Sequence, residues 1–298
     1  MNGRAGHRAR RRPGTGRCLI VSLLTLLGAI ALSACGSSSG AVTAPTVQPA
    51  RVFTLGRFSP KTAVKPHRPV QVTFTVQLPS GKPLTSYKTG SGPHTGVHLI
   101  IVRKDLAYII HDHPPVAPNG VLRQTVRFPA PGPYRVLVDV YPDIPGGQPN
   151  FQLLRTVNVA GAYRPVALPP FKADQVVGGY HFRMQGNPHL HAIQASFVHV
   201  AVTDPHGRPV KFVPWFGALA HAIFFHQGSL DYFHTHVCAP DAPNCSSILG
   251  AARVTGRASA PGKLTLGILL PVPGTWRLFL QMKPRDRVLT APFTLRVS

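Results

Sequence analysis

Two stretches decide the fold: His98-Leu-Ile-Ile-Val-Arg-Lys-Asp-Leu-Ala-Tyr-Ile-Ile-His111-Asp-His113, and His221-Ala-Ile-Phe-Phe-His-Gln-Gly-Ser-Leu-Asp-Tyr-Phe-His234-Thr-His236. In each, one His stands thirteen residues ahead of a His-x-His pair, and the residues between are two β-prone runs parted by a short polar break. Such runs, too short for helices and rich in β-branched and aromatic residues, read as β-hairpins.

The likeness extends outward from the hairpins. Leu78-Pro79-Ser80-Gly81-Lys82-Pro83-Leu84 recurs as Asp204-Pro205-His206-Gly207-Arg208-Pro209-Val210, upstream of each hairpin. Pro129-Ala-Pro-Gly132-Pro-Tyr134-Arg135 recurs as Pro271-Val-Pro-Gly274-Thr-Trp276-Arg277, downstream of each. Three matches in one order mark an internal repeat. Further runs at Val70–Leu78, Tyr134–Tyr141, Leu153–Val159, Ser196–Thr203, Lys263–Leu270 and Trp276–Met282 are also strand-like. Together with 32 Pro and 28 Gly, they predict an all-β chain of two tandem antiparallel β-sandwich domains. Tyr134 and Trp276 are expected to be aromatic corners whose polar tips bond nearby backbone. The boundaries expected are residues 51–161 for repeat 1, 162–170 for a Pro-rich linker, and 171–298 for repeat 2. Repeat 2 carries an insertion after His236 that runs to about Gly262.

A leader precedes the repeats. The first 17 residues hold six Arg and no acid, an apolar run follows, and Leu32-Ser33-Ala34-Cys35 closes it. This pattern predicts a secretory signal over residues 1–34. The last four residues look like a bacterial lipobox, with lipid on Cys35 and a flexible tether over 35–50. The expected location is the outer face of the cell membrane, exported and lipid-anchored. The alternative is an uncleaved span, for which the apolar run is short. Of the remaining cysteines, Cys238 and Cys245 form an even pair outside the cytoplasm, expected as a disulfide; Cys238 as a thiolate ligand is the alternative.

The formal charge is +23, and all nine acids are Asp. Without Glu, the His-Glu-x-x-His metalloprotease helix and a catalytic Glu pair are excluded. No Gly-x-Ser-x-Gly elbow, Cys-x-x-Cys pair or Gly-rich phosphate loop is present, so no enzyme is expected. The charge suits anionic lipid or an anionic wall polymer better than nucleic acid, because no basic stripe interleaves with aromatics; a merely solvated basic surface is the equal alternative, and an envelope protein is a further candidate partner.

The histidines carry the chemistry. If each hairpin turns on two residues (Lys104-Asp105, Gln227-Gly228), His98 opposes His111 and His221 opposes His234, about 5 Å apart at Cβ. Strand alternation puts His113 and His236 on the same faces. Each repeat would then gather one three-imidazole group: His98, His111, His113 and His221, His234, His236. Three imidazoles suit Cu(II) or Zn(II). The same faces carry Ile100, Val102, Ala107 and Ile109, or Ile223, Phe225, Leu230 and Tyr232, which predicts a site at one mouth of each sandwich core. Tyr108 and Tyr232 fall on opposite faces of this register, so one hairpin is expected to differ in turn or bulge. Asp112 and Asp231 are candidates to orient ligands, and His94, His189 and His191 are further candidate ligands. His181, His199, His206 and His226 read as surface or packing residues. Beyond the leader only Met184 and Met282 remain, which argues against a thioether-rich Cu(I) carrier. The rival reading is an Ig-like cell-envelope interaction module whose imidazoles only bond turn carbonyls.

The blocks 98–114, 128–142, 217–236 and 270–282 resemble the YtkA-like family of extracytoplasmic bacterial proteins. That resemblance implies an Ig-like (cupredoxin/FixH-like) sandwich and an association with copper. It carries over His98, His111, His113, His221, His234 and His236 as ligands. The cysteine insertion, and Val237 where the family has Pro, depart from the pattern.

Overall fold

A computed structural model describes residues 52–88, 96–186, 188–239, 248–249 and 252–298. The leader 1–34, Cys35, the tether 35–50, His94 and Cys245 lie outside the described residues, and so does the pairing of Cys238 with Cys245. Among the described residues there is no helix.

The first repeat contains β1 (Thr54–Ser59), β2 (Pro69–Gln77), β3 (Val97–Arg103), β4 (Ile109–Asp112), β5 (Val121–Arg127), β6 (Gly132–Val140) and β7 (Phe151–Val159). They form two antiparallel sheets, β1-β2-β5 and β4-β3-β6-β7. This three-plus-four division is that of an Ig-like sandwich whose fourth strand has joined the sheet of the third, sixth and seventh. Alternate residues Val72, Phe74, Val76, Leu99, Ile101, Val136 and Val138 fill the space between the sheets. Tyr134 is fully buried, and its hydroxyl donates to the Ala130 carbonyl at 2.9 Å. Trp276 repeats the device, its indole N–H donating to the Val272 carbonyl at 3.0 Å.

The second repeat contains β8 (Asp174–Val177), β9 (Tyr180–Met184), β10 (Ser196–Thr203), β11 (Ala220–His226), β12 (Tyr232–Cys238), β13 (Ile248–Leu249), β14 (Ala252–Arg253), β15 (Gly256–Ala260), β16 (Lys263–Ile268), β17 (Gly274–Met282) and β18 (Leu289–Val297). Strands β12-β11-β17-β18 repeat the β4-β3-β6-β7 sheet. The insertion makes the difference between the repeats. Its strand β15 pairs in parallel with β12 and antiparallel with β16, joining both sheets of repeat 2 into one nine-stranded order. Gly256 permits that join: an added Cβ would stand 2.6 Å from the Thr265 carbonyl oxygen and 2.8 Å from that of His236.

The two repeats pack on each other through their four-stranded sheets. Every residue of β3 is buried, as are the first six of β11, because both faces of each strand are covered. Leu99 and Ile101 point into one sandwich, and Ala222 and Phe224 into the other. The opposite faces meet in a third cluster of Ile100, Val102, Leu106, Leu137, Ile223, Phe225, Leu230 and Phe279. Eight such side chains, at about 1.5–3 kcal/mol each for full burial, give an upper figure of roughly 12–24 kcal/mol. The chain from Ala50 onward is accordingly one compact unit. This corrects the expected direction of the histidine faces. Their apolar residues line the seam between repeats, not the core of either sandwich. Residues 162–170 hold no strand; there the Val166 amide donates to Asp105 Oδ2 at 2.8 Å and Leu168 packs on the seam.

Candidate metal centre

Both hairpins pair two residues out from the expected register. Ile100 opposes His111, and Ile223 opposes His234. The loops hold four residues each, closed by Arg103 N→Tyr108 O at 3.0 Å and His226 N→Asp231 O at 2.9 Å. In repeat 1, Asp105 builds the loop by accepting from the Ala107 amide at 3.2 Å and from Arg103 at 2.7 and 2.8 Å. Leu106 and Leu230 take positive φ near 60°, a left-handed conformation that the tertiary contacts of the seam maintain. A shift of two preserves parity, so every His keeps its expected face. The new partners are His221 with His236 and, continuing the register, His98 with His113. Neither hairpin is longer than the other. The Leu-x-Tyr motif is what fails to align, so Tyr108 lies outside beside Arg103 while Tyr232 faces the seam.

Facing sheets bring all six predicted histidines into one cluster instead of two. His98 Nδ1 lies 3.3 Å from His234 Nδ1, and His221 Nδ1 lies 3.3 Å from His234 Nε2. Ring separations fall in matching pairs: His98–His234 at 5.2 Å and His221–His111 at 5.0 Å, His98–His111 at 5.8 Å and His221–His234 at 5.5 Å. The halves are therefore related by an approximate twofold. Two groups have one nitrogen per residue within 4.8 Å of the others: His98, His111, His234 and His221, His234, His236. The second is the group expected for repeat 2. The first replaces the expected His98, His111, His113: His234 of the facing repeat takes the place of His113, which follows the last residue of β4. There it stacks between His98 (4.2 Å) and Phe216 (3.9 Å).

The separations suit metal ligation. Two ligands at 2.0–2.1 Å from a tetrahedral ion stand about 3.3 Å apart, the distance seen at both His234 nitrogens; a good N–H···N bond would be shorter. Two tautomers are set by outer partners. His221 Nε2–H donates to the Trp215 carbonyl at 2.8 Å, which turns the Nδ1 lone pair toward His234. His111 Nδ1–H donates to Gln281 Oε1 at 3.0 Å, leaving its buried Nε2 without a hydrogen-bond partner. Gln281 is itself oriented, its amide N–H donating to Thr290 Oγ1 at 3.0 Å. Such outer contacts fix which nitrogen a ligating imidazole presents.

Burial keeps the rings neutral. It holds His111 well below the ordinary imidazole range, with help from His221 and His113, and does the same for His234, with help from His236 and His98. Burial lowers His113 to about 3 and His221 to about 4. Neutral imidazole is the ligating form.

Several residues of the site were not anticipated. Asp139 is 2% exposed, opposes His98 across β3 and β6, and stands 3.9 Å from His98 Nδ1. It accepts from Gln152 at 2.9 Å, Tyr141 at 3.1 Å, and Asn150 and Tyr232 at 3.4 Å, while burial pushes its carboxyl up. Gln281 is its counterpart, opposing His221 across β11 and β17. Each stands seven residues after the corner glycine, Gly132 or Gly274, so extending the repeat alignment along that strand would have found both. Trp215 and Phe216, in the loop before β11, carried no signal.

The other candidates lie elsewhere. Asp112 points to the other face, where burial raises it to about 6, and Asp231 bonds Ser229 in its loop. His191 bonds Ser298 Oγ at 2.8 Å beside a cavity of about 430 Å³ that His189 also lines. His181 meets Asp174, His199 meets Thr265, and His226 meets Ser229. Cys238 is buried at the end of β12 and belongs to neither group.

Residues 175–298 match a family described as a domain of unknown function (DUF8832). No curated protein matches. Among solved structures, invasin, a bacterial integrin-binding protein, is similar at 13% identity over 84% of this chain and 39% of that one, with a TM-score of 0.21. Tandem Ig repeats of Dlar match at 7% identity over 84% and 99%, TM-score 0.22, and fibronectin(III)-like modules of Clostridium thermocellum CbhA at 10% over 83% and 93%, TM-score 0.20. The chain spans well under two thirds of invasin. At these scores the likenesses carry no argument, and the sandwich assignment rests on the strand orders and registers above.

Proposed function

We propose that this protein is a non-enzymatic binder of a divalent transition metal, Cu(II) foremost and Zn(II) second, held outside the cytoplasm by lipid on Cys35. The observation that carries the reading is the buried His111 Nε2. Its ring is oriented by Gln281, its lone pair is turned into a cluster of neutral imidazoles, and no hydrogen bond uses it. A buried polar atom without a partner is costly and calls for an explanation, which an ion bound at that nitrogen would supply. An all-nitrogen neutral donor set favours Cu(II) over other first-row divalent ions. The lipid anchor is supported by Leu32-Ser33-Ala34-Cys35, and the basic balance of the chain suits an anionic envelope surface.

Because ligands come from both repeats, ion binding would also clamp the seam. Free metal at a hundredfold excess over Kd stabilises the folded state by about 2.7 kcal/mol. The test is a titration of chelator-stripped protein with Cu(II) and Zn(II), reading bound metal and Tm, for the native chain and His111→Ala. Uptake and a Tm rise that both weaken in the variant are expected. Uptake indifferent to His111, with a Tm unmoved by chelator, would leave the rival: an Ig-like envelope module whose histidines are structural, as the His221–Trp215 bond taken alone suggests.

A further inference from the structure

The two three-nitrogen groups share a residue, His234, and they use different nitrogens of it. Nδ1 faces His98, and Nε2 faces His221, each at 3.3 Å. Each separation is that of two ligands on one ion. A single ion at either group would use one nitrogen of His234 and leave the other aimed at a second, equally assembled group.

We infer that His234 bridges two metal ions, one held with His98 and His111 and the other with His221 and His236. This rests on the metal-binding reading above and specifies its stoichiometry and bonding. On binding the second ion, the ring gives up its remaining N–H proton to solvent and becomes an imidazolate; each nitrogen lone pair then bonds one ion. The negative ring stands between the two cations and offsets their repulsion, which neutral ligands alone would not do. The outer contacts fit this arrangement. Trp215 holds the His221 tautomer and Gln281 that of His111, so one ligand of each group presents a set nitrogen before any ion arrives. Asp139, buried 3.9 Å from His98 Nδ1, supplies a further acidic group at the same end.

The full chain, stripped with chelator and titrated with CuSO4, provides the test. Bound copper is counted by metal analysis after desalting, and its spin by electron paramagnetic resonance of the same samples. Two ions per chain are expected, with the signal growing to the first equivalent and collapsing with the second, because an imidazolate couples two Cu(II) spins. Protein given one equivalent of copper and then one of Zn(II) should keep the full signal of an isolated Cu(II). In His234→Ala, every copper that binds should be fully visible. Two coppers with undiminished spin, or saturation at one copper, would overturn the bridge while leaving metal binding standing. No uptake at all would overturn both.

Discussion

Replacing Gln281 by Leu separates the metal reading from a purely structural one. Gln281 is 4% exposed and makes two bonds of 3.0 Å, accepting from His111 Nδ1–H and donating to Thr290 Oγ1. Leu has similar bulk and neither capability. In the metal-free protein His111 Nδ1–H would be left buried without an acceptor, at a cost of about 1–3 kcal/mol. If His111 Nε2 is a ligand, the change also frees the ring to turn and to carry its proton on the wrong nitrogen. Loss of an outer partner of this kind weakens metal affinity by about 10–100-fold, equivalent to roughly 1.4–2.7 kcal/mol. Urea denaturation in chelator reads the first effect, and competition against a chromophoric copper chelator reads the second. Loss of stability with affinity unchanged within about threefold would mean that His111 is a packing residue and that the metal reading is wrong at its strongest point.

Two further outcomes are expected. In metal-free protein, His113 and His221 stay neutral down to about pH 3 and about 4, whereas an unfolded His titrates near 6.5. The unfolded chain therefore binds protons first, so this contribution is complete above pH 6.5 and is lost as pH falls toward 4. His221 alone accounts for on the order of 3 kcal/mol, and a urea midpoint flat between pH 7.5 and 4.5 would contradict it. Phe225→Ala, at a fully buried seam position, should destabilise by about 3–5 kcal/mol and lower metal affinity by loosening the two halves; a change below about 1 kcal/mol in equilibrium unfolding would show that the seam does not hold them together.

Strand positions were legible because strand length and the Pro/Gly breaks are local properties. Tyr134–Tyr141, for example, lies within one residue of the end of β6. Face was legible too, because parity survives a register error of two. The register itself was not, since a two-residue turn was assumed where the side chain of Asp105 and a left-handed Leu106 build a four-residue loop. The runs Val97–Arg103 and His221–His226 were legible as strands, yet alternation alone does not say whether a given face meets its own sandwich or a neighbour. That ambiguity turned one shared cluster into two separate ones. The role of β15 was hidden because nothing in Gly256–Ala260 announces a parallel partner.

Asp139 and Gln281 occupy corresponding positions on corresponding strands, but one is an acid and the other an amide. Both reach the same three-imidazole group, Asp139 beside His98 and Gln281 through its bond to His111, whereas in the other group His221 is held by the Trp215 carbonyl. If the metal reading holds, a cation arriving between the halves would meet two unequal berths, and the order of filling would follow from that inequality rather than from the shape of either sandwich.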